Sequence, residues 1–339
     1  MGKKISVIGA GSWGTALAVL LAKTGLDVCM WSIFDDEVKM INEKREHISK
    51  LPGLSIPENV VCTMDLEKCL YDADIMVTVV PSQNTRKVLK DTSKYTKNGM
   101  IVVSCSKGLE DGTGFRMSQV IQQELSNVTP VVLSGPSHAE EVAKDIPTTV
   151  VAASDNIKAA KLVQDIFMTT KFRVYTNPDV IGVELGGALK NVIALCAGIS
   201  DGLGFGDNTR AALMTRGIAE MSRLGRAMGA NPRTFSGLSG IGDLIVTCSS
   251  IHSRNRRAGI LIGQGKSLKE AAQEVKMVVE GITTTKVAYE IATEKAVVMP
   301  ITNEAYNVLF KGKKAQEAVS DLMTRNKKCE VEELWDKLS

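Results

Sequence analysis

An apolar run at residues 5–8 leads straight into Gly9-Ala10-Gly11-Ser12-Trp13-Gly14, and an apolar helical stripe begins at Thr15. No other stretch constrains the fold as much. In a G-x-G-x-x-G set between a strand and a helix, the first glycine permits the tight turn and the second lets backbone N–H groups approach a pyrophosphate. The third lets the helix pack closely on the strand. The helix N-terminus then presents unsatisfied donors and the positive end of its dipole to the phosphates. Glycine-rich turns are common in α/β proteins, so the flanking strand and helix are what make this a dinucleotide site rather than a plain turn.

At 339 residues the chain exceeds what one hydrophobic core usually supports, which favours two domains. Hydrophobic residues make up 44% and charged residues 23%, ordinary for a globular protein, so disorder is not expected. The formal net charge of +3 is small and the basic residues are scattered, which argues against nucleic acid as a partner. No stretch reads as the roughly 20 uninterrupted apolar residues that span a bilayer. The segment after Met1 lacks the basic region, apolar core and small-residue cleavage site of a signal peptide. The expectation is a cytoplasmic protein without membrane insertion. The seven cysteines, at 29, 62, 69, 105, 196, 248 and 329, include no C-x-x-C and read as reduced, buried thiols. His47, His138 and His252 are the only histidines, and none has metal-ligand spacing, so no metal is expected. A serine hydrolase would need a G-x-S-x-G elbow, which the chain lacks.

Short β-branched runs alternate with helical patterns through the first half, which predicts parallel strands joined by crossover helices. The strands are expected at 5–8, 28–31, 75–80, 100–105, 131–134, 148–152 and 173–175, with helices at 15–23, 85–95 and 159–167 among them. Right-handed crossovers place the loops after the strands along one sheet edge. After Asn177-Pro178-Asp179 the strand signal ends, and helices are expected at 180–197, 211–228, 268–274, 283–294 and 331–338. The domain boundary is therefore set between 178 and 179. Gly-rich turns at 201–206 and 239–242 interrupt the helical half, either as loops or as places where backbone approaches a ligand.

Hydride transfer to a carbonyl needs a proton donor at the carbonyl oxygen, positive charge for any anionic substrate group, and groups that fix orientation. Lys190 follows Gly186-Gly187 on a helical segment, and the two glycines leave room for a ligand beside it. A lysine in a partly desolvated cleft has its pKa lowered toward the acid–base range, whereas a helical lysine in water does not. Lys107 occupies the loop after the strand ending at Cys105, and Gly135-Pro136-Ser137-His138-Ala139 a similar edge position. A solvated loop lysine and a helix N-cap are the plain alternatives. Asp243 and Thr247, four residues apart, share one face if their segment is helical, and an acid among apolar neighbours needs a partner. Ser253-Arg254-Asn255-Arg256-Arg257 is the densest basic cluster, and its guanidinium and amide donors suit a phosphate.

Taken in order, these segments resemble the bacterial NAD(P)-dependent glycerol-3-phosphate dehydrogenases, which reduce dihydroxyacetone phosphate to sn-glycerol 3-phosphate. The resemblance runs over nearly the whole chain. It rests on Gly9 to Ala18, Ser106-Lys107-Gly108-Leu109, Ser134-Gly135-Pro136-Ser137, Glu184 to Asn191, Gly240-Ile241-Gly242-Asp243-Leu244, Ser253-Arg254-Asn255 and Val279-Glu280-Gly281. It implies an α/β plus all-α fold: an N-terminal Rossmann-type dinucleotide-binding domain over 1–178 and a helical substrate-binding and catalytic domain over 179–339. It also implies that Lys190 is the catalytic acid and base, that Lys107 contacts cofactor and substrate, and that Asn191 and Asp243 orient the site, Asp243 through Lys190 or a substrate hydroxyl. Gly135, Ser137, Ser253, Arg254 and Asn255 carry over as substrate contacts, the last two on the phosphate, with Thr247 as a phosphate or network residue. Besides Gly9, Gly11 and Gly14 of the turn, Ser12, Trp13, Ala139, Arg254, Val278 and Glu280 carry over as cofactor contacts.

One departure bears on the cofactor. Where relatives often carry Arg or His after the second strand, this chain reads Trp31-Ser32-Ile33-Phe34-Asp35-Asp36. A basic side chain there grips the 2′-phosphate of NADP, and a nearby acid favours the free ribose hydroxyl of NAD. Ile33 supplies neither, so of NAD and NADP the reading leans to NAD, with Lys44 and Arg45 as the residues able to reverse it. Other two-domain reductases of the 6-phosphogluconate, 2-ketopantoate or β-hydroxyacid type share the opening turn but do not account for the Arg254 cluster and Gly242-Asp243-Leu244. A non-enzymatic redox sensor would need a helix-turn-helix or basic stripe, which the chain lacks. Oligomeric state does not follow from these residues; a homodimer is the arrangement entertained.

Overall fold

The computed structural model describes residues 3–327, 329 and 330. The expected helix at 331–338 lies outside the described residues. Eight strands form one sheet: β1 (Lys4–Ile8), β2 (Asp27–Trp31), β3 (Val60–Thr63), β4 (Ile75–Thr78), β5 (Ile101–Ser104), β6 (Thr129–Ser134), β7 (Thr148–Ala153) and β8 (Phe172–Asn177), in the order β3-β2-β1-β4-β5-β6-β7-β8. Helices α1 (Ser12–Lys23), α2 (Asp35–Lys39), α3 (Leu66–Leu70), α4 (Thr85–Thr92), α5 (Met117–Glu124), α6 (Ala139–Ala143) and α7 (Ile157–Phe167) cover its faces. The strand order reverses between β1 and β4, and a crevice opens there at the carboxyl ends of the strands. On one face β1, β4 and β6 pack against α1, α6 and α7; on the other, Ile8, Met76 and Val102 pack against α3, α4 and α5.

The expectation of parallel strands holds except at one ladder, where β6 and β7 run antiparallel, with Ser134 opposite Val151. A parallel return needs a crossover that travels back along the sheet. The link from β6 to β7 carries only the short α6, which packs against α1, and β7 enters beside the point where β6 leaves, with Gly135, at φ +131, against Val150. The sequence reading omitted β3, a four-residue edge strand with Val61 exposed, too short and too open on one side to show a clear alternation.

The second half is helical: α8 (Val180–Gly202), α9 (Asp207–Ala227), α10 (Asp243–Ser249), α11 (Arg254–Gly263), α12 (Leu268–Val275), α13 (Glu280–Glu294), α14 (Pro300–Phe310) and α15 (Ala315–Met323). Asp179 caps α8, accepting from Gly182 N at 2.9 Å. α8 is the axis of this domain, and Leu185, Leu189, Ile193 and Ala197 along it pack with residues of α9, α13 and α14. No span-length apolar stretch was expected, yet α8 is 23 residues long with mean hydropathy 1.6, long and apolar enough to cross a membrane. The reason is interior position: 83% of its apolar window is buried inside the protein.

α8 and α11 cross at very close range. A Cβ on Gly198 would strike the Arg256 carbonyl, and one on Gly259 would lie 2.8 Å from Ile199 N. This contact brings the start of α11 beside the middle of α8, where Asn255 meets Asn191. The Gly-rich stretch near 239 is not a loop but a π-helical turn, Leu238–Gly242, that runs directly into α10.

Candidate active site

Two lysines converge on one buried carboxylate. Lys190 Nζ, from α8, donates to Asp243 Oδ1 at 2.5 Å and to Thr247 Oγ1 at 2.7 Å. Lys107 Nζ, from the loop after β5, donates to Asp243 Oδ2 at 2.8 Å and to the Gly135 carbonyl at 2.8 Å, and lies 3.5 Å from Ser137 Oγ. Asp243 and Thr247 meet Lys190 together because they are one turn apart on α10, and Thr247 Oγ1 also donates back to the Asp243 carbonyl at 2.6 Å.

The electrostatics follow from depth. Burial pulls the Lys190 ammonium down to about 8; Asp243 opposes the fall, and Lys107 adds to it. Burial alone would raise the Asp243 carboxyl, but Lys107 and Lys190 outweigh it and hold the carboxyl below its ordinary value. The centre therefore consists of an ionised aspartate, a more open lysine and a buried lysine that titrates within about one pH unit of physiological pH. The last can give up or take back a proton.

The sequence reading had Gly186 and Gly187 clearing space for a ligand. Protein fills that space: a Cβ on Gly186 would meet the Ser239 carbonyl at 2.5 Å, and one on Gly187 would meet Ser134 Oγ at 2.8 Å and Lys107 Cγ at 3.5 Å. The missing side chains let α8 close against the π-helical turn and the β5 and β6 loops, and that closure buries Lys190.

A chain of amides links the same elements. Asn191 Nδ2 donates to the Lys107 carbonyl at 3.0 Å, and Asn255 Nδ2 donates to Asn191 Oδ1 at 2.8 Å. The Asn255 Oδ1 in turn accepts from Gly281 N at 2.8 Å. Asn255 is thus buried and already engaged, unlike its neighbour Arg254, which is exposed at the surface with Glu280 and Glu140 near its guanidinium. Ser253 caps α11, its hydroxyl accepting from Arg256 N at 3.2 Å.

On the dinucleotide side, Gly9 turns at φ +115, and a Cβ on Gly14 would collide with the Gly9 carbonyl, so helix and strand touch as the motif requires. A Cβ on Gly11 would meet nothing within 4 Å, which leaves open space over the turn. The N-terminus of α1 has neither a side-chain cap nor an acid in its first turn, and the Trp13 indole nitrogen is buried without a hydrogen-bond partner among the described residues. These features fit a bound pyrophosphate and nicotinamide dinucleotide. Ser12 Oγ donates to the Lys50 carbonyl at 2.7 Å, Ala139 is buried at the start of α6, and Ile33 and Val278 stand exposed.

Glu280, the first residue of α13, accepts from Ser82 N at 2.9 Å and from the Ser82 hydroxyl, across the cleft from the loop after β4. Burial raises its carboxyl, against the Ser82 hydrogen bonds and the charge of Arg254. Sequence reasoning missed Ser82, although its place just after a predicted strand was the available signal. In that reading Ser239 is only the first residue of a Gly-rich turn, and its side chain pairs with Ser134 at 2.9 Å.

Family models described as the N-terminus and the C-terminus of NAD-dependent glycerol-3-phosphate dehydrogenase match residues 4–160 and 179–320. The chain is 58% identical over 337 residues to a glycerol-3-phosphate dehydrogenase, NAD(P)+, of Pelotomaculum thermopropionicum, covering 98% of this chain and 97% of that one. It is 57% identical over 331 residues to the enzyme so named in Desulfitobacterium hafniense, covering 98% and 94%. The crystal structure of a glycerol-3-phosphate dehydrogenase from Coxiella burnetii matches with a TM-score of 0.92 at 38% identity, covering 96% of this chain and 99% of that one. Matched in both halves and over nearly all its length, this chain belongs to the NAD-dependent glycerol-3-phosphate dehydrogenase family.

Proposed function

We propose that this chain reduces dihydroxyacetone phosphate to sn-glycerol 3-phosphate, reversibly and with NAD(P) as cofactor, and that Lys190 moves the proton. The observation that carries the mechanism is the Lys190–Asp243–Lys107 centre. Asp243 and Thr247 take two of the three donors of the Lys190 ammonium, and the third is left to point at a carbonyl oxygen. Reduction draws that proton onto the new alkoxide, and oxidation returns it to the neutral amine. The reduced nicotinamide, when bound, supplies the hydride. Asp243 holds both lysines in place through its two carboxylate oxygens, while Asn191, through the Lys107 carbonyl, holds the second lysine's loop. Arg254 offers the exposed guanidinium for the phosphate, with Gly135, Ser137, Ser253 and Asn255 as the surrounding substrate contacts. The α1 turn and Trp13 hold the dinucleotide, with Ala139, Val278 and Glu280 along its nicotinamide half.

Two observations support a preference for NAD. Ile33 offers no charge to a 2′-phosphate, and Arg45 is committed elsewhere, donating to the Val60 carbonyl at 2.7 Å and to Glu58 at 2.7 Å, at the start of β3. The same reading carries a domain division at 178/179, a cytoplasmic homodimer without membrane insertion, and supply of sn-glycerol 3-phosphate to glycerophospholipid synthesis.

The test is loss of the reduced-nicotinamide absorbance with dihydroxyacetone phosphate, run in parallel with NADH and NADPH. Rapid oxidation, faster with NADH and much slower with unphosphorylated dihydroxyacetone, is expected. No oxidation by a folded, cofactor-binding protein would overturn the substrate. A higher rate with NADPH would overturn the NAD preference.

A further inference from the structure

His138 stands between Ser137 and Ala139, in the loop that carries the Gly135 carbonyl to Lys107. Its Nε2 is sealed from solvent and has no hydrogen-bond partner among the described residues. A buried polar atom left unpaired is costly, and such atoms in a cleft are commonly satisfied by what the cleft binds. The His138 ring lies 5.8 Å from that of His252, inclined at 54°. His252 immediately precedes Ser253-Arg254-Asn255. The ring contact with His252, two residues before Arg254, sets the imidazole at the Arg254 corner of the cleft, and Glu140, two residues beyond His138, is near enough to act on both groups by its charge.

The charged groups around the ring are Lys190 from α8, Lys107 after β5, Asp243 from α10 and Glu140 from α6, with His252 from the loop between α10 and α11. Burial first, then the positive charges of Lys190 and Lys107, hold the imidazole below the ordinary histidine value. It is therefore neutral near pH 7 and keeps one N–H to donate.

We infer that His138 is a substrate-binding residue whose Nε2–H donates to the phosphate of the three-carbon substrate beside Arg254. The inference rests on the reductase reading above. The carbonyl end of the substrate belongs to the free donor of Lys190, so the Arg254 corner is left for the phosphate. None of the family's carried-over contacts includes this position.

Steady-state kinetics of the whole protein with dihydroxyacetone phosphate and NADH test it, comparing wild type with His138→Phe and His138→Asn. The Phe variant is expected to raise KM for dihydroxyacetone phosphate about tenfold, the size of one hydrogen bond to a charged group. Its kcat should change far less and its KM for NADH stay put. The Asn variant, which keeps a donor, should recover part of the loss, and inorganic phosphate should inhibit the Phe variant more weakly than wild type. Unchanged KM for dihydroxyacetone phosphate in both variants overturns the inference, as does a rise confined to KM for NADH. If the Phe variant fails to fold, the Asn variant and phosphate inhibition decide. A wild type that does not turn over dihydroxyacetone phosphate at all overturns the reductase reading itself, a result distinct from the others.

Discussion

At the residue scale, Lys190 differs from the other described lysines in how completely its ammonium is removed from water. The protein retains a positive charge there only because Asp243 and Thr247 replace the lost hydration, and the compromise is a pKa of about 8. The direction of the pH dependence follows. Reduction needs the protonated lysine, so kcat/KM for dihydroxyacetone phosphate should fall as pH rises through about 8, while oxidation of sn-glycerol 3-phosphate, which needs the neutral amine, should rise there. Lys190→Ala should abolish both limbs and most turnover, yet still bind NADH by fluorescence titration; wild-type turnover in that variant would count against the assignment. The Asp243–Thr247 pair was legible beforehand, because a four-residue spacing states which side chains share a helix face. The Gly186-Gly187 pair was misread, because a missing Cβ shows that something approaches and not what. The resemblance gave Asn255 as a phosphate contact, and its hydrogen bonds to Asn191 and Gly281 are long-range facts with no local signature.

At the element scale, the contact between α8 and α11 sets the distance between Lys190 and Arg254, the residues proposed above to move the proton and to bind the phosphate. Glycine in a helix interior costs about 1 kcal/mol relative to alanine, so Gly259→Ala on a free helix would be stabilising. Here the added Cβ would meet the Leu195 carbonyl, with Ile199 N at 2.8 Å and Gly198 Cα at 2.9 Å, and backbone cannot step aside as a side chain can. Overpacking of this kind costs about 1–3 kcal/mol. Urea unfolding of Gly259→Ala should therefore show lower stability, with KM for dihydroxyacetone phosphate raised; a gain in stability would mean that the helices are not held at this spacing. Most long elements were legible from periodicity. α11 was recognised only as a basic cluster, since its charges mask the buried positions Ala258, Gly259 and Ile262. The strand β3 escaped for the opposite reason, having too few residues to establish a period.

At the scale of the whole molecule, the two halves are joined by buried polar contacts as well as by packing. Arg116, from the α/β half, donates to Glu184 of α8 at 2.5 Å, and Glu184 also accepts from Ser118 N at 2.7 Å and Ser118 Oγ at 2.6 Å. Glu280 with Ser82, Asn191 with the Lys107 carbonyl, and Ser239 with Ser134 tie the cleft walls at other points. Removing one member of a buried ion pair leaves the other uncompensated, at a cost of about 3–5 kcal/mol. Arg116→Ala should thus lower the melting temperature while calorimetry still shows a single transition, because both halves lose the same bridge. An unchanged melting temperature, or two separated transitions, would show that the halves are energetically independent.

The sequence by itself determined the dinucleotide turn, the alternation of strand and helix, the passage to a helical second half and the residue types available for chemistry. All of these are written in steric and hydrophobic patterns spanning a few residues. Tertiary structure decided that β7 runs against β6, that α8 lies inside the protein, that Gly186 and Gly187 make room for protein, and that Lys107 and Lys190 share one aspartate. Those outcomes depend on which groups long-range packing removes from water and which charges it brings within hydrogen-bond distance, and no local pattern encodes either.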